Sequence, residues 1–159
     1  PEWSADNAQK EMEQILTALN NKVDGVYAAK DGLASGAIAA MKAAGIRPLP
    51  PVTGQDAELG AIQRILAGEQ YMTVYKAIRP EAQAAAELAY ALCVGERPNE
   101  SKVTGFINNG KRDVPAILLK PVSVNQSNIK DTVVADRFWT VEQICTSEFK
   151  PYCVAAGIQ

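Results

Sequence analysis

The chain has 159 residues, 47% hydrophobic and 21% charged, which is enough for one domain with a substantial core. Its net charge is -2 with both signs interspersed, so it carries no electrostatic footprint for nucleic acid or an anionic membrane, and no apolar run approaches the length of a bilayer span. Histidine is absent and no carboxylates cluster in pairs, which removes the usual nucleophile, base and metal constellations; the reading is of a non-enzyme without a cofactor.

The chain begins abruptly at Pro1-Glu2-Trp3, with no leading strand and no charged-then-apolar leader, as expected of a processed or truncated protein. A first helix is predicted from Ser4 or Ala5 to Asn20, capped by Ser4 and Asp6, with Ala8, Met12, Ile15, Leu16 and Leu19 as its apolar stripe. Residues 23–29 (VDGVYAA) read as a strand covered on both faces, followed by a turn at Lys30-Asp31-Gly32. Asp31 or Ser35 then caps a second helix that presents Ala34, Ala37, Ile38 and Met41 and stops at Gly45. Arg47 to Pro51 form a stiff connector.

Residues 52–76 (VTGQDAELGAIQRILAGEQYMTVYK) read as a βαβ unit. A short strand ends at Thr53-Gly54, a helix starts just after Asp56 with Leu59, Ile62, Ile65 and Leu66 on one face and Gly68 as its stop, and a strand over 72–75 closes on Lys76. Ligands gather outside the carboxyl ends of strands in such units, which places Gln55, Asp56 and Lys76 on one rim. Beyond it, an Ala-rich helix runs from Arg79-Pro80 to about Val94. Its stripe of Ala82, Ala85, Ala86, Ala89, Leu92 and Cys93 calls for close packing, with Cys93 a buried thiol. Residues 95–104 are polar and irregular, Asn108 to Lys111 form a turn, and residues 116–124 (AILLKPVSV) read as a strand with Pro121 near its end. A short helix is predicted from Phe138 to Ile144. In the tail over 140–159, Lys150-Pro151 can turn the chain so that Cys145 meets Cys153; a bridge there contributes roughly 2.5 kcal/mol and places the protein outside the cytoplasm, the alternative being two reduced thiols.

No phosphate-binding glycine loop is present, so a nucleotide is not indicated. The strand ends instead offer an aromatic at Trp3, cationic donors at Lys30 and Lys76, an amide at Gln55 and an acceptor at Asp56. Such donors and acceptors bond hydroxyls strongly and an indole face covers the C–H side of a pyranose, an inventory suited to a neutral sugar or polyol. Taken singly, Asp31 and Asp56 serve equally well as helix caps, and both lysines as solvated surface groups.

The order of motifs resembles the C-terminal part of the periplasmic sugar-binding proteins of ABC transporters, of the ribose/xylose type and nearest the D-xylose-binding ones. WSADNAQKEME, VDGVYAAKDGLASGAIAAM, GQDAELGAIQRILAGEQYMTVYK and NNGKRDVPAILLKPVSVNQSNIKDTV are the four blocks that carry it, in order, over nearly the whole chain. The resemblance implies an α/β fold, a three-layer Rossmann-like sandwich forming one lobe of the type I periplasmic-binding-protein fold over 1–159, without the first lobe and the opening strand of the second.

By position it implies that Trp3 stacks on the sugar, Asp56 accepts from ring hydroxyls and Lys76 donates at the hinge edge. Lys30 stands where the family has a ligand-binding Asn, and a donor-only side chain there leaves pentose, hexose, sugar acid and inositol-like ligands all open. The implied partners are a monosaccharide and an ABC transporter permease, with no nucleic acid and no direct membrane insertion, in a periplasmic or extracellular protein that a lipoprotein anchor can hold at the membrane. The small-residue helix would then pack on a second copy, giving a homodimer, or fold back on its own lobe. The nearest rival is the effector domain of a repressor-class sugar-responsive regulator.

Overall fold

A computed structural model describes residues 2–96 and 99–158. In chain order the elements are α1 (Ala5–Ala18), α2 (Asp31–Ala43), α3 (Leu59–Leu66), β1 (Thr73–Tyr75), α4 (Ile78–Cys93), β2 (Gly105–Asn108), β3 (Asp113–Ala116), β4 (Val122–Val124), α5 (Val141–Ile144) and α6 (Lys150–Ala155). They belong to two compact units: one runs to Tyr75 and resumes at Val122, and the other is Lys76–Pro121.

In the first unit α1 lies on α2. Ser4 caps α1 by accepting from the Asn7 amide at 3.3 Å. Met12 and Leu16 are buried with Ala34, Ala37, Ile38 and Met41, whereas Ile15 and Leu19 are exposed, so the apolar stripe of α1 is narrower than its periodicity predicts. The approach of the two helices depends on Gly36, where a Cβ would lie 2.2 Å from the Ala5 carbonyl oxygen and 2.9 Å from the Gln9 amide.

The expected strand over 23–29 condenses to a parallel bridge between Val26 and Val52, and Tyr27 is 87% exposed, so the segment is not covered on both faces. The Thr53 hydroxyl extends the pairing by accepting from the Ala28 amide at 3.1 Å and donating to the Ala28 carbonyl at 3.2 Å. On the other side Tyr71 N donates to Val52 O (3.0 Å), Val74 N to Gly54 O (3.2 Å) and Asp56 N to Val74 O (2.9 Å). This is the parallel arrangement of a βαβ unit, with α3 burying Ile62, Ile65 and Leu66 before Gly68 stops it at φ +74°. β4 then pairs antiparallel with β1, Thr73 opposite Val124.

A single π-helical turn over Lys130–Val134 leads to α5, which opens with a reciprocal Thr140/Gln143 capping box. Lys150-Pro151, expected as a turn, instead begins α6, where a residue without an N–H leaves no helical bond unmade. Cys145 and Cys153 are joined in a disulfide with their Cα atoms 5.9 Å apart, and Ile144, Cys153 and Ile158 are buried beside it.

In the second unit β2 and β3 form a hairpin with Gly105 opposite Ala116, around a turn where Gly110 takes φ +85° and Asn109 Oδ1 accepts from the Lys111 and Arg112 amides. The predicted strand over 116–124 is divided between β3 and β4. Pro121, which has no N–H to give a ladder, lies at the break. The polar stretch expected over 95–104 contains a 3-10 turn at Glu100–Lys102, and its residues 97 and 98 lie outside the described residues. The stripe from Ala82 to Cys93 is exposed, and the half-buried positions of α4 are Ala84, Leu88 and Ala91. Cys93 is a free, exposed thiol, contrary to the burial its small-residue surroundings predict.

Gly36→Ala is expected to destabilise the chain by about 1–3 kcal/mol because backbone must move. Gly32→Ala, with nothing within 4 Å of its Cβ, should be neutral or slightly stabilising in the same urea-unfolding measurement.

Candidate ligand-binding site

The site is built on a buried carboxylate. Asp31, the first residue of α2, is fully buried and does not cap the helix; Lys30 occupies the N-cap position without a side-chain cap bond. Asp31 Oδ2 accepts from the Glu58 amide at 2.9 Å and from the Thr73 hydroxyl at 2.8 Å, and Oδ1 accepts from Gln70 Nε2 at 2.9 Å. Its own amide donates to the Gln55 carbonyl at 2.9 Å. Arg64 closes the network, Nη2 donating to the Asp31 carbonyl at 3.2 Å and Nε to Gln70 Oε1 at 3.0 Å. Burial pushes the Asp31 pKa up from 3.8, against the pull of the three donors, and lowers that of Arg64.

This network pins the loop between Gly54 and α3. Asp56 and Ala57 both adopt positive φ, 94° and 51°, which is strained for residues other than glycine. The turn is held at Asp56 N by the Val74 carbonyl, at Ala57 N by Thr73 Oγ1 (3.2 Å) and at the Ala57 carbonyl by Trp139 Nε1 (2.8 Å). Lys30 Nζ lies 3.6 Å from Glu58 Oε1, an ion pair at the partly exposed edge of the same cluster.

Of the residues singled out from sequence, Lys30, Gln55 and Asp56 are thus brought together at the carboxyl ends of the parallel segments. Trp3 is 68% exposed at φ 58°, just ahead of α1, whose first residue lies against Gly36 of α2. Lys76 follows β1 as the first residue of the second unit and is exposed. Sequence reasoning missed Glu58, Arg64, Gln70, Thr73 and Trp139. Glu58, an acid at a helix start, carried a local signal. Trp139, 82 residues from its partner, carried none.

Among the described residues no group of three His, Cys, Asp or Glu side chains could hold a metal ion, and no helix is long and apolar enough to cross a membrane. The chemistry on offer is an acceptor, an amide and a cation–carboxylate pair around a rigid turn, which suits hydroxyl recognition.

Residues 1–97 match the model of the periplasmic binding protein domain, and the chain belongs to that family. It is 50% identical over 136 residues to the D-xylose-binding periplasmic protein of Escherichia coli, an alignment covering 86% of this chain and 40% of that protein. The chain thus spans about two-fifths of the length of the curated relatives it matches. A solute-binding protein from Clostridium phytofermentans with bound β-D-glucose superimposes with a TM-score of 0.78 at 28% identity, covering 89% of this chain and 44% of that one. One from Chloroflexus aurantiacus in complex with D-glucose gives 0.76 at 34% identity, covering 87% and 41%. The fold is the α/β lobe of this family, with small sheets and packed helices.

Asp31→Asn sets an amide nitrogen against aligned donors and is expected to cost about 1–3 kcal/mol at pH 7. Because the folded-state pKa lies above 3.8, the folded chain binds the Asp31 proton more tightly. The favourable contribution is complete below 3.8 and is lost as pH rises through the raised value. The stability gap between wild type and the non-titrating Asp31→Asn should therefore widen between pH 7 and about pH 4 in urea unfolding.

Proposed function

We propose that this chain is the sugar-contacting lobe of an extracytoplasmic solute-binding protein that delivers a monosaccharide to an ABC carbohydrate transporter. The observation that carries the reading is the convergence of Lys30, Gln55 and Asp56 at the carboxyl ends of the parallel segments, around a turn whose geometry is fixed from beneath. The relatives support it: the Escherichia coli protein is named for D-xylose binding, and both solved neighbours hold glucose. The Cys145–Cys153 disulfide favours an oxidising, periplasmic location over a cytoplasmic regulator.

In this reading Asp56 accepts from ring hydroxyls, Gln55 supplies an amide, Lys30 donates while Glu58 balances its charge, and the exposed indole of Trp3 covers an apolar ring face. A second lobe would complete the site and exclude water, and a transporter permease would read the closed form. If a complete protein binds with a Kd on the order of 1 μM, about 8 kcal/mol, and each lobe supplies half, a single lobe binds only near the millimolar range.

The test is isothermal titration of the complete solute-binding protein containing this chain against pentoses, hexoses, sugar acids and inositols. Micromolar binding of one sugar is expected, with Trp3→Ala and Asp56→Ala each weakening it by about tenfold or more, some 1.4 kcal/mol. Absence of binding across the panel, or unchanged affinity in both variants, overturns the reading.

A further inference from the structure

We propose that Trp139 is a positioning residue for the Asp56–Ala57 turn: its indole N–H, donated to the Ala57 carbonyl, holds the strained backbone that presents Asp56. The consequence for sugar affinity rests on the function proposed above; the backbone role does not.

Two consecutive non-glycine residues at positive φ are strained and persist only where the surroundings over-determine them. The turn has three such restraints. Two arise inside the βαβ unit, from the Val74 carbonyl and the Thr73 hydroxyl. The third, Trp139 Nε1 to Ala57 O at 2.8 Å, comes from the far end of the chain and is the shortest of the three.

The bonds run in series. The indole N–H donates to the Ala57 carbonyl, and the N–H of the same peptide group, that of Glu58, donates to Asp31 Oδ2 at 2.9 Å. A chain of bonds polarised toward a buried carboxylate strengthens each member. Ala57 is fully buried, so a carbonyl deprived of the indole would have no ready access to bulk water, and the inexpensive response is for the backbone to leave its strained conformation.

The indole is itself held in place. Phe138 packs edge-on against Trp139 with centroids 5.3 Å apart and against Tyr75 at 5.0 Å, and the Tyr75 hydroxyl donates to Asp136 Oδ2 at 3.1 Å. Immediately after Trp139, Thr140 caps α5, whose end is tied to α3 by Gln63 Nε2 donating to the Gln143 and Ile144 carbonyls. Since α3 begins two residues beyond Ala57, the tail holds both the turn and the helix that follows it.

A tryptophan that merely fills space would be replaced well by another ring, and this separates the two roles. Trp139→Phe keeps the ring and removes the donor; Trp139→His keeps a ring N–H. In Trp139→Phe, amide hydrogen exchange at Ala57 and Glu58 is expected to quicken by about tenfold or more while Ile38 and Met41 in α2 stay within about twofold, and Trp139→His is expected to recover most of the protection. In the complete solute-binding protein, Trp139→Phe should weaken sugar binding by about tenfold in the wild-type background and by less than about twofold in an Asp56→Ala background. Unchanged exchange at Ala57 and Glu58, or an equal affinity loss in both backgrounds, overturns the proposal. If the wild-type protein binds no sugar in the panel, the functional reading fails and the exchange measurement alone decides the role of Trp139.

Discussion

The Asp31 carboxylate is the constraint on which the first unit depends. A buried charge is costly unless its lone pairs are met, and here three donors from two separated stretches of chain meet them: the Glu58 amide at the start of α3, and the Gln70 side chain and Thr73 hydroxyl at the entry to β1. Satisfying one group therefore fixes the start of α2 against the start of α3 and the entry to β1. The requirement reaches Gly54, where a Cβ would stand 2.0 Å from Asp31 Oδ1 and 2.5 Å from Gln70 Nε2. A glycine there makes room for the carboxylate rather than for a phosphate.

The turn above this network shows how local strain is held by distant bonds. Asp56 and Ala57 sit in a conformation that local sequence does not favour, and it is kept by bonds from β1 and from the aromatic segment ahead of α5. The tail that supplies the indole is closed by the disulfide and by buried Ile144 and Ile158. In the proposed sugar-binding reading, preorganisation of this kind lowers the cost of ordering the loop when ligand arrives.

The second unit is organised differently. α4 and the β2–β3 hairpin expose Tyr90, Leu92, Phe106 and Ile107, and the small-residue stripe of α4 faces solvent. Its internal order comes mainly from local devices: the Asn109-Gly110 turn, the Thr104–Leu118 bonds flanking the hairpin, and an exposed Lys102–Glu87 ion pair. Exposed pairs of that kind contribute little.

The amino-acid sequence by itself determined α1 to α5, the βαβ unit and the hairpin turn, and offered the pairing of Cys145 with Cys153 beside two reduced thiols, because each is written in contacts between near neighbours: a 3.6-residue period in α3, a glycine stop at Gly68, an Asn-Gly turn, an eight-residue separation. It also pointed to Lys30, Gln55 and Asp56, which lie next to helix starts in the order the family motifs share. The tertiary structure alone decided that Asp31 is a buried hub rather than a cap, that Ile15, Leu19 and Cys93 are exposed, and that the run over 116–124 breaks at Pro121. It alone brought Trp139 to Ala57 across 82 residues. The physical reason is common to all of these: burial and long-range hydrogen bonding depend on which segments meet, and a periodic pattern specifies the face a helix offers without specifying what covers it.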